Sequence, residues 1–286
     1  MTAVIVGASL LAPTPAAEAA GVTTHGWMAV EAIDLVDDPG LMALLRAHEE
    51  QVRAGAMFPD VGYVNGNTYG EEAHWQRFVD AYVDLIAART DCGPDLADPA
   101  APCADMIAHA FGVAGHGMGD EVWDWLFEPN GPDLDEYYVN GLPTANEGGA
   151  ETQMDLVAVG VHGVPRPAIP ALPDIPTLLQ AFEDAGFGGV TESQFALVPH
   201  AAAVWDLETQ WAAEHLAGVQ AAMPWMSANM VTAPGGVDFA AQAIAGYWGS
   251  MWGRLQGDQP PTEVSITYPA PGQDDIPATG WVRSSQ

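Results

Sequence analysis

Lysine is absent from the 286-residue chain, and only seven arginines oppose 38 acidic residues, which gives a net charge of −31. Such a charge repels nucleic acids and anionic membrane surfaces unless bound cations intervene. The chain also lacks a glycine-rich loop for phosphate groups and the G-x-S-x-G turn that carries a nucleophilic serine. The acidic balance instead suits a secreted protein, a saline habitat or the binding of divalent cations.

Long apolar runs and strand-like alternation are almost missing as well. No apolar stretch reaches the ~18 residues that cross a bilayer. Only residues 262–268 alternate as a β-strand does. Apolar residues make up 49% of the chain and recur at helical spacing. The predicted helices begin at Thr23 or Thr24 as the N-cap and then cover 41–54, 71–86, 105–127, 175–186, 191–223 and 237–256. We therefore predict an all-α fold with one helical domain over residues 20–257.

The start of the chain and its two cysteines bear on whether the protein is secreted, and the end of the chain is a separate segment. Residues 1–19 combine an apolar run, a proline break and the sequence Ala17-Glu18-Ala19, which is typical of a secretion signal, although a basic start is missing. Residues 258–286 are predicted as a proline-rich tail or the start of a β domain. Cys92 and Cys103 bracket a short loop, and they form a disulfide if the protein is exported or two buried thiols if it is not.

The central predicted helix carries His116, Asp120 and Asp124 at intervals of four residues. At ~100° per residue these side chains drift about 40° per step, so they share one face. Burying them is costly unless hydrogen bonds or a metal satisfy them. The spacing alone therefore allows a hydrogen-bonded His–Asp pair or a metal site. His109 falls within about 20° of the same line, and we expect it to be a core or supporting histidine.

Other segments supply residues of the same chemistry. His25 lies near the start, Asp60 follows a proline, and His74 precedes an apolar stripe. Glu147 and Glu151 repeat the four-residue step. Oxygen and nitrogen ligands in this number suggest more than one divalent ion.

Four motifs occur in the order found in the zinc-dependent phospholipases C. They are T-T-H-G-W-M-A-V-E-A-I-D (23–34), A-G-A-M-F-P-D (54–60), E-A-H-W (72–75) and A-F-G-V-A-G-H-x-x-x-D (110–120). The chain resembles this family over roughly residues 20–256, and in particular the catalytic domain of glycosylphosphatidylinositol-specific phospholipase D. The fungal and plant single-strand nucleases share the all-α, trinuclear zinc fold. The resemblance therefore implies that fold here.

The resemblance also implies a set of metal ligands. The first zinc site would have four: Asp60, His74, His116 and Asp120. Asp120 would bridge to a second zinc, which His25 and the amino and carbonyl groups of the mature first residue also hold. Cleavage after residue 19 would make Ala20 that first residue, with His25 as the sixth.

The third site departs from the family. Family members have histidines at two of its three positions, where this chain aligns Asp124, Glu147 and Glu151. Carboxylates alone favour Ca²⁺, Mg²⁺ or Mn²⁺ over zinc. The resemblance therefore implies up to three divalent ions, in a hydrolase with an altered metal or in a less active relative.

The implied activity is hydrolysis of phospholipids or related phosphodiesters by metal-activated water, in a secreted enzyme of phospholipase C or D type. Asp60 is the expected ligand that also orients the attacking water as a base. Two alternatives stay open. One is a single-strand nuclease, which the scarcity of basic residues disfavours. The other is a non-catalytic relative that binds metal or lipid headgroups.

Overall fold

Every element of regular structure in the described residues is helical. The computed structural model describes residues 21–65, 69–128 and 148–257. In chain order the α-helices are α1 (Val22–Ile33), α2 (Pro39–Ala47), α3 (Glu49–Val61), α4 (Tyr69–Ala73), α5 (Gln76–Ala87), α6 (Ala104–Val122), α7 (Gly148–Gly160), α8 (Ile175–Asp184), α9 (Ala201–Ala222), α10 (Pro224–Asn229) and α11 (Val237–Leu255). Short 3₁₀ segments cover Gly62–Asn65 and Glu192–His200, and a π-helical turn, Trp123–Phe127, continues α6. The all-α prediction is confirmed.

The helices surround α6, whose residues from Met106 to Asp120 are all buried. A helix that is apolar around most of its circumference is expected to lie inside the protein. Helices α1, α3, α5 and α11 pack against it. One hydrophobic cluster extends from Met28 in α1 to Leu255 in α11. The described helices therefore form a single domain with α6 at its centre.

Two glycines let α3 and α6 meet backbone to backbone. A Cβ atom on Gly55 would lie 2.1 Å from the carbonyl oxygen of His109. A Cβ atom on Gly112 would lie 2.1 Å from the carbonyl oxygen of Val52. Only glycine fits at such distances, because the atoms in the way belong to backbone and cannot rotate aside.

We expect Gly112→Ala to lower the free energy of unfolding by about 1–3 kcal/mol, as overpacked cores do. Denaturant unfolding measures this. Gly218→Ala in α9 is the control, because a Cβ atom there has no neighbour within 4 Å. It should raise stability by roughly 0.5–1 kcal/mol through helix propensity. A Gly112→Ala protein as stable as the control would contradict the close contact.

The structure corrects the prediction around residue 54. The glycine and proline in residues 54–63 predict a turn-rich connection, but this segment is helical, because α3 continues to Val61. The single helix predicted over 41–54 is instead two helices, α2 and α3, which meet at His48. The His48 ring joins this junction to the first turn of α6 through Asp105 Oδ1 and to the loop between Cys92 and Cys103 through the Pro99 carbonyl oxygen, each 2.7 Å away. Packing against α6 outweighs the local breaking tendency of glycine and proline.

A second correction concerns the helix predicted over 71–86. The structure divides it into α4 and α5, and His74 lies in the break rather than in a first helical turn. Trp75, the N-cap of α5, has extended backbone and is only partly buried. The other members of the predicted apolar stripe are buried: Phe78, Val79, Tyr82 and Ile86.

The start of α1 also differs from the prediction. Gly21 is the N-cap, while Thr23 and Thr24 lie within the first turn and are buried. Their side chains therefore do not cap the helix, and a residue from elsewhere in the fold takes that role, as described below.

The sulfur atoms of Cys92 and Cys103 are bonded, as predicted, and close a loop before α6. In the described ranges no helix combines the length and apolar character needed to cross a bilayer. The predicted signal (1–19) and tail (258–286), with its strand at 262–268, lie outside the described residues and stay predictions.

Candidate metal centre

Five predicted ligands from separate parts of the chain come together beside α6. His25 lies on α1, Asp60 near the end of α3, His74 in the break between α4 and α5, and His116 and Asp120 on α6. They form two overlapping groups that could each hold a metal ion. One group is His25, His116 and Asp120, and the other is Asp60, His74 and His116. Within each group the ligand atoms lie within 4.8 Å of one another.

The distances around His116 match those expected for one ion. His116 Nε2 lies 2.9 Å from His74 Nε2 and 3.7 Å from Asp60 Oδ1. His74 Nε2 lies 3.5 Å from that same oxygen. Asp120 Oδ2 lies 3.3 Å from His116 Nε2 and 3.8 Å from His74 Nε2. Neighbouring ligand atoms of a tetrahedral zinc, with bonds of about 2.0–2.1 Å, are about 3.3 Å apart. These residues therefore fit a zinc-sized ion.

The imidazoles of His74 and His116 are oriented as metal ligands are. His116 Nδ1 donates to the Ala56 carbonyl oxygen at 2.6 Å, and His74 Nδ1 donates to the Gly70 carbonyl oxygen at 2.7 Å. Because a carbonyl oxygen only accepts, both Nδ1 atoms carry the hydrogen in the neutral rings, and both Nε2 lone pairs face the centre. Such an outer hydrogen bond commonly fixes a metal-binding histidine. Two lone pairs 2.9 Å apart repel each other unless a cation or proton lies between them.

Asp120 faces both groups. Its Oδ1 atom lies 2.8 Å from His25 Nε2, and its Oδ2 atom faces His116 and His74. Neither His25 Nε2 nor Asp120 Oδ1 has another hydrogen-bond partner among the described residues, so the two atoms face only each other. One carboxylate can therefore bridge two ions at this position.

The electrostatics favour positive charge at the centre. Burial alone would lower the pKa of His74, but the hydrogen bond to Asp60 and the charges of Asp120 and Asp60 raise it to about 9. Burial and the neighbouring imidazoles of His25 and His74 hold the pKa of His116 well below its ordinary value. Without a cation, the His74 ring therefore carries the additional proton and the His116 ring stays neutral. A divalent cation would serve both rings and the carboxylates together.

The ligands of the centre differ in their exposure to solvent. The side chains of His25 and His116 have no exposed surface. Those of Asp60, His74 and Asp120 are 11%, 12% and 12% exposed. Catalytic zinc sites keep a position for water or substrate, whereas structural sites are closed. The edge of the centre formed by Asp60, His74 and Asp120 is therefore its more accessible edge.

No protein-family model, curated protein or solved structure matches the chain. The resemblance to the zinc-dependent phospholipases C stays a prediction from motifs. What the site can do is therefore inferred from the geometry of its own residues.

The predicted carboxylate site is only partly described. Glu147 and Ala20 lie outside the described residues. Asp124 is partly buried on the π-helical turn, and Glu151 is buried in the first turn of α7. Neither belongs to the two groups above. Asp124 lies in the π-helical turn that continues α6, four residues after Asp120. The third site stays a prediction.

His109 lies in the hydrophobic core, whereas Tyr63 contacts a residue of the centre. His109 is fully buried between the rings of Phe58 and Tyr82 and belongs to neither metal group, as expected for a core histidine. No motif in the sequence pointed to Tyr63. Its hydroxyl donates to Glu71 Oε2 at 2.9 Å, and its ring centroid lies 5.5 Å from that of His74. Its position in the turn after α3 places it beside the centre.

Proposed function

We propose that the protein is a secreted, metal-dependent hydrolase of phosphodiesters, with phospholipids or related small molecules as substrates. The observation that carries the proposal is the Asp120 carboxylate, which faces imidazoles on both sides at a partly open centre. Such a residue can hold two cations close enough to act on one phosphate group. The disulfide supports an extracellular location.

Each residue of the centre has a role in this proposal, as a metal ligand or in orienting water. We assign one zinc ion to Asp60, His74, His116 and Asp120, and a second ion to His25 together with Asp120. Bound divalent ions would supply a nucleophilic water at neutral pH and offset the negative charge of the phosphoryl oxygens. Asp60, partly exposed at the opening, can accept a proton from a water molecule and orient it. The carbonyl partners of the two Nδ1 atoms keep the imidazoles turned towards the ions.

The arginines of the described residues favour a lipid or small phosphodiester over a nucleic acid. Five of the six are paired with carboxylates: Arg46 with Asp34 and Glu49, Arg53 with Glu49, Arg89 with Asp91 and Asp174, Arg166 with Asp206, and Arg254 with Asp80 and Asp84. The sixth, Arg77, lies over the ring of Phe187. Binding a nucleic acid backbone needs arginines or lysines that face the phosphates. The pairing of the arginines therefore supports a lipid or small phosphodiester as substrate rather than DNA.

Metal analysis and a substrate panel test the proposal. We expect two to three divalent ions in the purified mature protein by elemental analysis. Bis-p-nitrophenyl phosphate and either phosphatidylcholine or phosphatidylinositol should be hydrolysed, and chelation should abolish the activity. Single-stranded DNA is the comparison substrate. Faster cleavage of DNA would instead identify a nuclease, and bound ions without any hydrolysis would identify a non-catalytic relative.

A further inference from the structure

Helix α1 begins against a carboxylate that belongs to another helix. Asp155 on α7 accepts hydrogen bonds from the backbone nitrogens of Thr23 (3.1 Å) and Thr24 (2.8 Å) and from Thr24 Oγ1 (2.6 Å). Its side chain is buried, and a Cβ atom on Gly21 would lie 2.2 Å from Asp155 Oδ2. Asp155 therefore caps α1 in place of the N-cap residue, Gly21, which has no side chain.

A second buried carboxyl group supports the first. Glu208 on α9 hydrogen-bonds with Asp155 and accepts from Thr23 Oγ1. Burial and the adjacent Asp155 raise the pKa of Glu208 to about 10, so Glu208 is protonated and donates to Asp155. The charge on Asp155 lies at the positive end of the α1 dipole, where a carboxylate is favoured. This cluster, formed by Asp155, Glu208, Thr23 and Thr24, fixes the first turn of α1.

The metal centre depends on that turn because His25 follows it directly. The rings of His74 and His116 are each fixed by a hydrogen bond from Nδ1 to a carbonyl oxygen. The Nδ1 atom of His25, in contrast, has no hydrogen-bond partner among the described residues, and its Nε2 atom faces Asp120 Oδ1 at 2.8 Å. The position of His25 against Asp120 is therefore set by ring packing and by where α1 begins.

We propose that Asp155 is a positioning residue for the metal centre. By holding the first turn of α1 it sets His25 against Asp120, and so controls the ion assigned to that pair without controlling the ion at Asp60, His74 and His116. The inference rests on the metal centre of the proposed function and not on the reaction assigned to it.

The test is metal binding by the full chain with Asp155→Asn. Elemental analysis after dialysis and titration with Co²⁺, followed by its visible absorption, measure the number and affinity of the ions. We expect the affinity for the ion at His25 and Asp120 to fall about tenfold to a hundredfold, as it does when a residue that orients a metal ligand is lost. The ion at Asp60, His74 and His116 should keep its affinity.

Asp174→Asn is the matched control, because Asp174 is the N-cap of α8 and accepts from Thr177 N (3.4 Å) and Thr177 Oγ1 (3.1 Å). It should lower the unfolding temperature without changing metal binding. If Asp155→Asn behaves like this control, Asp155 is structural and the inference is wrong.

Thr24 variants carry the test if Asp155→Asn does not fold. Thr24→Val removes only the hydroxyl donor and should weaken the same ion, while Thr24→Ser should restore it. Unchanged metal binding in a folded Thr24→Val protein would overturn the inference. The proposed reaction is judged separately. A wild-type protein that binds ions but hydrolyses no phosphodiester refutes the reaction and leaves the Asp155 comparison valid, whereas a wild-type protein that binds no ion refutes both.

Discussion

Replacing Asp120 with alanine should lower phosphodiesterase activity by more than about a hundredfold. This loss is larger than the loss expected when a residue that only orients a metal ligand is replaced. The reason is that both oxygens of this carboxylate face imidazoles, so its removal affects both proposed ions. His116→Ala should have a similar effect, because His116 belongs to both groups. Bis-p-nitrophenyl phosphate hydrolysis and metal content are the measurements, and circular dichroism should report unchanged helix content.

His215→Ala is the matched control for the histidine variant. His215 lies on α9, and its side chain is 62% exposed. It should retain wild-type activity and metal content. Full activity in a folded Asp120→Ala or His116→Ala protein would refute the metal-site assignment. Lost activity with unchanged metal content would show that the residues act without binding the ions.

The sequence predicts those parts of the centre that lie on regular helix. His116 and Asp120 are four residues apart on α6, which stays α-helical to Val122, so their shared face follows from helical geometry. Asp124 follows the same four-residue rule but lies beyond that point, on the π-helical turn. A π turn is a local change in hydrogen bonding, and the apolar pattern of this segment contains no signal for it.

Long-range contacts explain what the sequence did not predict. Thr23 and Thr24 are favourable N-cap residues, but the cap comes from Asp155, more than 130 positions away. Similarly, Asp60 follows a glycine- and proline-containing stretch that predicts a turn, yet it lies in α3 because that helix packs closely on α6. Local propensity contains no information about a partner so distant in the chain, and tertiary packing decides both cases.

His109 should make the protein sensitive to acid. Burial lowers the pKa of this histidine to about 3, against 6.5 for the ordinary side chain. The unfolded chain therefore binds an additional proton between these values. The contribution of His109 to stability is therefore complete above about pH 6.5 and is lost as the pH falls towards 3. The loss is about 1.4 kcal/mol per pH unit and on the order of 4–5 kcal/mol in total, a large part of the ~5–15 kcal/mol typical of a folded protein.

A bound metal would add a second acid-sensitive step, because protons compete with a metal for the lone pair of a ligand such as His116. Comparing the wild type with His109→Met separates the two effects, since both proteins keep the same ligands. Urea unfolding between pH 7 and pH 4 should give curves that diverge, with the methionine variant losing less stability at each step. His215→Met, with its exposed site, should follow the wild type. If the wild type and His109→Met lose stability in parallel, the buried histidine is not the acid-sensitive group.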